Sequence, residues 1–415
     1  MLRNYVLIAY KVFMRRKLFT AINLACIVLT LIVLVVATAL LEALFFPSGV
    51  EGKSARFLQI YTMHSESRDA STQRSGGLGY KMIQRELEPM QGVERVSAFT
   101  TPTPVSVYQD GQVSELQLRR VDADYWKILD FKLLAGRLPV EDDERLGRMV
   151  AVLNASSAHR LFGAGAGAAL GRTVSAGGQT FSVIAVVADV LHLNAYADMW
   201  APVTTFPSTQ YRDELTGNFA AMLLAREAAD LPAIQREVAQ IASRYVSEDP
   251  SRFAVTRFPA DTKPDMMARQ LFGTNRDADP GTTKMAALIG AAMLLFMLLP
   301  ALNLVNLNMG RIAERSAEIG VRKAFGATSF QLIGQLVVEN VLLCLAGGLL
   351  GLAGARVVLW WLAETQLIPY LDVGINLPVF ACGMLLAFLF GLLSGALPAW
   401  KMSRLDPVHA LKGNA

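Results

Sequence analysis

The sequence has little of what metal centres, disulfide frameworks and local catalytic motifs require. Its three cysteines, Cys26, Cys344 and Cys382, all lie in apolar runs and indicate neither a disulfide framework nor a metal site. Its four histidines are scattered, and it contains no H-E-x-x-H motif and no G-x-x-x-x-G-K-[ST] motif, the P-loop that binds ATP phosphates. We therefore expect no catalytic residue, no metal ligand and no cofactor in this chain.

Charge is also scarce. Of the 415 residues, 53% are hydrophobic and 18% are charged, the formal net charge is +4, and the mean hydropathy is +0.36. This composition is too apolar for a typical soluble enzyme and predicts a membrane protein with a sizeable soluble part. The small net charge does not indicate a nucleic-acid partner, so the partner that composition implies is the lipid bilayer.

Long apolar runs predict four transmembrane α-helices, one near the start of the chain and three in its last third. The first run is too long for the apolar part of a signal peptide, so we expect an uncleaved signal anchor. Residues 1–17 mix basic and apolar side chains and predict an amphipathic helix on the inner membrane surface. The four predicted spans are 18–46, 284–309, 331–358 and 377–400.

Residues 47–283 have a different character, with polar residues, turn signals and alternating apolar stretches. The patterns predict strands around residues 105–108, 149–153 and 181–187, and helices around 76–90, 154–162 and 231–246. The length suits one α+β domain with two lobes. The predicted fold is thus a membrane protein with four transmembrane helices, arranged one plus three, and a large α+β domain between the first and second.

The basic residues predict the orientation in the membrane. The N-terminal flank, the 310–330 loop and the 401–415 tail all carry Lys and Arg, whereas the short 359–376 loop has only Glu364 and Asp372. Basic loops stay in the cytoplasm. We therefore expect both termini and the 310–330 loop to be cytoplasmic, and the large domain and the 359–376 loop to be external, as in a multi-pass protein of a bacterial inner membrane.

The 310–330 segment is charged and helix-prone, and it lies between two predicted spans. Glu318 and Arg322 are spaced i,i+4, which supports a short helix. Two interpretations are open: a solvated loop helix that marks the cytoplasmic side, or a coupling element that docks on a motor protein. The residues that form this candidate site are Arg311, Glu314, Arg315, Glu318, Ile319, Gly320, Arg322, Lys323 and Gly326.

Glu339 is a candidate of another kind, because it lies about a third of the way into a predicted membrane helix. A charge at that depth is costly and usually faces a partner or water, so one interpretation is a coupling or packing role between helices. The alternative is a residue near the interface that snorkels or is protonated. In the same helix, Gly347-x-x-x-Gly351 has the small-xxx-small spacing that permits close helix packing.

Several motifs resemble those of MacB/FtsX-type ABC transporter permeases. Residues 314–327 (ERSAEIGVRKAFGA) are similar to the signature of that family, and residues 398–412 (PAWKMSRLDPVHALK) are similar to its typical C-terminus. Short motifs in the large domain are similar to the MacB-like periplasmic core and occur in the same order. They are Gly136-Arg137, Val150–Asn154, Leu161–Gly163, Leu170-Gly171 and Phe181–Asp189.

The resemblance implies a permease dimer, formed with a second copy or a paralogue, that works with a cytoplasmic ABC ATPase dimer. ATP and Mg would then be bound by the ATPase chains, and residues 310–330 would be the coupling helix that meets them. The family works by mechanotransmission, in which ATP-driven movement of membrane helices drives work by the periplasmic domain. The implied function is export of peptides, drugs or amphiphiles with a periplasmic adaptor and an outer-membrane channel. The alternatives are mechanical regulation of a periplasmic partner, such as a cell-wall hydrolase, and lipoprotein extraction.

Overall fold

The computed structural model of the chain divides into an inserted unit, Ala43–Thr283, and a helical unit, Met1–Glu42 with Lys284–Ala415. The structure describes residues 11, 13–15, 17–45, 49–69, 71–109, 111–163, 165–245, 249, 251–273, 279–314 and 328–365, together with 377, 378, 380, 381, 384, 385, 388, 389 and 392.

Helices are found in both units. In the inserted unit, the short helix Tyr80–Met82 continues as a π-helix, Ile83–Leu87. The α-helices of the described residues are α1 (Lys17–Phe45), α2 (Tyr80–Met82), α3 (Tyr125–Ile128), α4 (Glu141–Arg145), α5 (Ala155–Phe162), α6 (Leu231–Arg244), α7 (Lys263–Phe272), α8 (Thr282–Glu314) and α9 (Ser329–Glu364).

The strands all belong to the inserted unit. They are β1 (Phe57–Ile60), β2 (Met63–Glu66), β3 (Gln73–Leu78), β4 (Val93–Thr100), β5 (Thr103–Gln109), β6 (Gln112–Val121), β7 (Leu133–Gly136), β8 (Val150–Asn154), β9 (Thr173–Ala176), β10 (Gln179–Val187), β11 (Met199–Pro202), β12 (Thr216–Gly217), β13 (Phe219–Ala225) and β14 (Val255–Arg257).

The first lobe of the inserted unit has a ferredoxin-like arrangement, and we call it the split-sheet lobe. Strand β1 pairs with β13, and β13 pairs with β4. On its other side β1 is bridged through Gln59 to Asp261, just after β14, and β14 itself pairs with β2. The order β14, β1, β13, β4, with α2 between β1 and β4 and α6 between β13 and β14, is that of a split β-α-β fold.

Both faces of this sheet are buried, which explains its nearly continuous apolar strands. On one face, Leu58, Ala221 and Leu223 share a core cluster with residues of α2 and α6, including Ile234 and Val238. The alternate residues of the same strands join a second cluster on the opposite face. That cluster includes Phe57, Phe99, Ala220, Met222 and Leu224, together with Tyr125, Trp126 and Trp200. The alternation follows from the period of two along a strand.

The second lobe is a small closed barrel, and we call it the barrel lobe. Its ring runs β6, β5, β9, β10, β8, β11 and back to β6. The interior is filled by buried side chains such as Leu118, Leu153, Phe181 and Met199. Closing the ring leaves no strand edge exposed around it. The ring assigns residues 199–202 to the barrel lobe, whereas β13, α6 and β14 return the chain to the split-sheet lobe.

The structure confirms most of the predicted elements of the large domain and corrects one. The three predicted strands correspond to β5, β8 and β10, and two predicted helices correspond to α5 and α6. The predicted helix at 76–90 is wrong at its start, because 76–78 belong to β3. A Cβ at Gly77 would lie 2.7 Å from the Phe219 carbonyl oxygen, so this glycine allows close strand packing instead of starting a helix.

The helical unit contains two helical segments that are long and apolar enough to cross a membrane, Thr20–Ala43 and Val337–Glu364, among the residues that the structure describes. Thr282–Phe296 is a shorter apolar stretch within α8. Helix α8 extends beyond the predicted span to Glu314, and α9 runs from Ser329 to Glu364. The predicted fourth span, 377–400, lies largely outside the described residues.

Candidate functional site

Most of the predicted coupling segment lies outside the described residues. Arg311 and Glu314 form part of the last turn of α8, so the helix continues into the predicted cytoplasmic loop. The remaining members of the candidate site are not among the described residues, and their docking role stays a prediction. They are Arg315, Glu318, Ile319, Gly320, Arg322, Lys323 and Gly326.

Glu339 is buried inside the helical unit. Its exposed fraction is 1%, that of the adjacent Asn340 is 4%, and Asn23 of α1 is fully buried. Neither side-chain atom of the Asn23 amide has a hydrogen-bond partner within the described part of the chain. Buried polar groups in apolar helices are costly and usually functional. The burial of Glu339 fits a role between helices better than a snorkelling position, although the role itself stays a prediction.

Two glycines of α9, Gly347 and Gly351, lie against α1. A Cβ at Gly347 would lie 2.5 Å from Ile27 Cγ2, and one at Gly351 would lie 2.9 Å from Leu31 Cβ. Both distances are shorter than any ordinary carbon contact, so larger residues would separate the two helices. The small-xxx-small pattern therefore marks a helix–helix interface in the helical unit.

In the inserted unit, the point where the chain arrives from α1 is held by a buried ion pair. Glu51 follows soon after the end of α1, and its carboxylate contacts the Nζ of Lys263, the first residue of α7. The Glu51 side chain is fully buried and that of Lys263 is 10% exposed. Glu51 Oε1 also accepts a hydrogen bond of 3.2 Å from the backbone N–H of Asn194. This pair joins two segments from opposite ends of the inserted unit.

A polar network continues from Asn194 into the core. The Asn194 carbonyl accepts hydrogen bonds from the buried guanidinium of Arg119 and from Tyr125 Oη, the latter at 2.7 Å. Its side-chain oxygen accepts a hydrogen bond of 2.8 Å from Tyr61 Oη. Burial raises the pKa of Tyr61 far above its ordinary value, so its hydroxyl remains a donor. These hydrogen bonds connect three separate segments, although Asn194 Nδ2 and Arg119 Nε have no hydrogen-bond partner among the described residues.

The point where the chain leaves toward α8 is held by the same helix. Thr282, the first residue of α8, donates its hydroxyl to Asp265 of α7. Asp265 also forms a capping box with Thr262, which fixes the start of α7. We call α7 the base helix, because Lys263 binds the segment after α1 and Asp265 binds the start of α8.

A second buried ion pair anchors the base helix to the sheet. Arg269 Nε donates to both carboxylate oxygens of Asp261, at 3.0 and 2.9 Å. The backbone of Asp261 exchanges two hydrogen bonds with Gln59 of β1, each of 2.9 Å. Burial raises the pKa of Asp261 to about 6, although Arg269 acts in the opposite direction. The base helix is thus connected to the central strands of the split-sheet lobe.

Sequence reasoning missed this arrangement. Glu51 and Lys263 belong to no recognisable motif, and they are distant in the sequence. The one local signal was the Thr262-x-x-Asp265 capping pattern with Pro264, which marks a helix start but not its partners. In the residues that the structure describes, no group of three or more His, Cys, Asp or Glu side chains is arranged to hold a metal ion.

The apolar helices and the two-lobed inserted unit define a membrane protein with a large extramembrane domain. Residues 20–241 match the MacB-like periplasmic core domain, and residues 290–407 match the FtsX-like permease C-terminal domain. The first match alone spans more than half of the chain. The chain therefore belongs to the family of MacB/FtsX-type ABC transporter permeases, which confirms the resemblance seen in its motifs.

Curated relatives agree with this assignment. The chain is 26% identical over 333 residues to the ABC transporter permease YknZ of Bacillus subtilis, covering 79% of this chain and 77% of YknZ. It is 24% identical over 319 residues to the macrolide export ATP-binding/permease protein MacB of Chromobacterium violaceum, covering 73% of this chain and 46% of that protein. The chain thus spans about half the length of this exporter and somewhat more than three quarters of YknZ.

Solved structures of extramembrane domains are also similar to the chain. The extracellular domain of YknZ from Gram-positive bacteria aligns with a TM-score of 0.39 and 17% identity, covering 49% of this chain and 98% of that domain. The periplasmic region of MacB from Actinobacillus actinomycetemcomitans aligns with a TM-score of 0.35 and 16% identity, covering 46% of this chain and 86% of that region.

Proposed function

We propose that this permease passes movement of its membrane helices to its inserted unit, driven by ATP hydrolysis on a separate cytoplasmic ATPase dimer. The observation that carries the proposal is the base helix, which binds both the segment after α1 and the first residue of α8. A displacement of either membrane helix therefore acts on the same rigid element. Buried ion pairs resist separation strongly, because a lone buried charge is costly.

The proposed topology has four transmembrane helices, both termini in the cytoplasm, and the inserted unit in the periplasm. It rests on the apolar runs and on the distribution of basic residues. A reporter fused after residue 415 should be active only in the cytoplasm, and one inserted near residue 210 should be active only outside it. The opposite pattern would contradict the orientation.

The proposed work is export of peptides, drugs or amphiphiles, with a second permease copy or paralogue, a periplasmic adaptor and an outer-membrane channel as partners. Support comes from relatives that are named as exporters, the macrolide exporter MacB and the probable syringafactin exporter SyfD of Pseudomonas syringae. ATP and Mg would be bound by the partner ATPase. Mechanical regulation of a periplasmic hydrolase and lipoprotein extraction are the competing outcomes.

The decisive experiment is a detergent pull-down of the tagged full chain, with mass spectrometry of the retained proteins. We expect an ABC ATPase to be retained, and we expect Glu318→Lys to lose it while still inserting into the membrane. Asp372→Lys is the matched control, because it reverses a charge in the loop proposed to be external. Retention of the ATPase by Glu318→Lys at the wild-type level would refute the coupling role of the 310–330 segment.

The same pull-down distinguishes export from mechanical regulation of a periplasmic partner. An adaptor recovered with the ATPase would support export. A hydrolase recovered with the ATPase would support mechanical regulation and refute export. Recovery of no ATPase with the wild-type chain would refute the proposed coupling altogether.

A further inference from the structure

A groove lies in the split-sheet lobe. Helix α6 forms one wall, and β14 and the residues after it form the other. Its volume is about 670 Å³. Pockets of roughly 300–1,000 Å³ are the usual size of ligand sites in proteins.

One wall of the groove is a stripe of small residues on α6. Ala239, Ala242 and Ser243 are spaced i, i+3 and i+4, so they lie on one face of the helix. Ala242 is buried and shares the core cluster of Ile234 and Val238, so Ala239 and Ser243 are the exposed members of the stripe. These two small residues leave room beside the strand that a larger side chain would fill.

The other wall is the edge strand β14. It stands at the end of the strand order and pairs only with β2 among the described strands. Val255 and Arg257 are exposed, whereas Thr256 points inward and bonds Ser65 at 3.0 Å. An edge strand offers backbone N–H and C=O groups to a further strand. Extended peptides add as a further strand to exposed sheet edges of this kind, and here α6 lies beside the edge.

One end of the groove is already closed by polar contacts. Gln235 Nε2 donates to the Ala260 carbonyl at 3.0 Å and to Asp265 Oδ2 at 3.2 Å. Pro259 has no N–H and cannot donate to an added strand. The part of the edge that can accept a further strand is therefore β14 itself.

One cation that lines the groove has no ionic partner among the described residues. Arg269 pairs with Asp261 and Arg257 pairs with Glu66, whereas Asp265 is held by hydrogen bonds from neutral groups. Arg236 is exposed and forms no ion pair with any residue that the structure describes, and its Nε donates only to the Pro232 carbonyl of its own helix. An acidic side chain is the complement of this guanidinium.

We infer that this groove binds an extended segment of a partner protein, which adds to β14 as a further strand and places an acidic side chain against Arg236. Pairing through the backbone supplies affinity, whereas side-chain contacts set the register, and the side chain that faces Ala239 must be small or β-branched. A fixed sequence requirement of this kind suits a dedicated protein partner better than varied cargo.

The test uses the full chain in lipid nanodiscs and a positional-scanning library of acetylated pentapeptide amides. The wild-type chain should retain peptides that combine β-branched residues with one Asp or Glu. Ala239→Trp should reduce retention at least about tenfold, because the indole fills the groove. Ala233→Trp is the matched control, since Ala233 is exposed on the same helix but does not line the groove, and it should leave retention unchanged.

Two further variants test the chemistry. Arg236→Glu should remove the preference for acidic peptides, and N-methylation of the peptide backbone should abolish retention because a methylated amide cannot pair with β14. Equal retention by the wild-type chain and Ala239→Trp would overturn the inference. Retention of N-methylated peptides would also overturn the inference. Dimers detected by light scattering that Ala239→Trp disperses would overturn it as well, because the occupant of the groove would then be a second copy of the chain. None of these readouts requires ATP, so failure here leaves the proposed coupling standing.

Discussion

The two lobes of the inserted unit differ in whether their sheets have an unpaired edge strand. The barrel lobe closes its strands into a ring through the pairing of β11 with β6. In the split-sheet lobe, β14 pairs with no strand other than β2 among the described residues. This lobe also carries the base helix, which binds both the segment after α1 and the first residue of α8. Closed rings leave no edge for a further strand, whereas open edges invite one.

This difference indicates a division of labour. In the proposed coupling, movement of the membrane helices would reach the split-sheet lobe first, because Lys263 and Asp265 belong to it. The barrel lobe is connected to that lobe through β4 and β6, at the pair Phe99 and Val121. The two lobes also share a core cluster, in which Trp200 of the barrel lies with Phe57 of the split-sheet lobe. Variants of the base helix should therefore disturb coupling and stability together, whereas variants of the barrel should disturb stability alone.

The largest expected effect is that of Lys263→Met. It leaves the Glu51 carboxylate buried without its cation, and breaking a buried ion pair costs about 3–5 kcal/mol. We expect the free energy of unfolding of the inserted unit to fall by that amount, measured by thermal unfolding of the full chain with intrinsic fluorescence.

Two variants make this prediction specific. Lys53→Met removes a similar lysine from an exposed pair with Asp130 and should cost less than about 1 kcal/mol. The double variant Glu51→Gln/Lys263→Met should recover part of the loss, because no charge is then left buried. Equal melting temperatures for Lys263→Met and Lys53→Met would show that the buried pair does not stabilise the base.

A smaller effect, confined to the barrel lobe, is expected for Gly136→Ala. Gly136 has a φ of +81°, and an added Cβ would collide with the Ile184 carbonyl of the adjacent strand. Strained backbone of this kind costs about 1–3 kcal/mol. Hydrogen exchange should rise in β7 and β10 while the base helix keeps its wild-type protection. Increased exchange in the base helix as well would show that the effect is not local.

An effect of similar size depends on pH and involves Asp143. Arg137 forms a bidentate pair with its carboxylate at 2.6 and 3.0 Å, and Arg148 adds a third bond at 2.9 Å. Hydrogen bonding to Arg137 holds the pKa of Asp143 well below its ordinary value. The resulting stabilisation is fully present above the unfolded pKa of about 4 and is lost as the pH falls through the lower folded value.

Asp143→Asn should therefore lower stability by about 2 kcal/mol at pH 7, and the difference from the wild-type chain should shrink at pH 3. Melting temperatures at the two pH values test this. A difference that grows on acidification would contradict the assigned role of the Arg137 pair.

Local elements of the fold were predictable because their signals lie within a few residues. The alternation of Phe181 to Val187 predicted β10, and the pattern that ends at Arg244 predicted α6 to within two residues. The predicted helix at 76–90 began too early, because residues 76–78 belong to β3, where Gly77 allows close strand packing. Membrane spans were predicted from long apolar runs, and α1 and α9 agree with two of them.

The arrangement of those elements was not predictable from the sequence. The pairs Gln59 with Asp261 and Leu118 with Met199 set the strand order, yet no local pattern links them. The same holds for Glu51 and Lys263, since single acidic and basic residues are common and their burial depends on the whole fold. Arg137 was part of a recognised motif, but its partner Asp143 became clear only from the structure.

The most direct test of the central claim is hydrogen exchange in the full chain, followed in residues 49–60 and 261–272. If the base helix binds both connections, Lys263→Met should raise exchange in both segments together, while Lys53→Met leaves both at the wild-type level. Increased exchange in 261–272 with unchanged exchange in 49–60 would show that the base helix does not hold the segment after α1, and would contradict the proposed route of coupling.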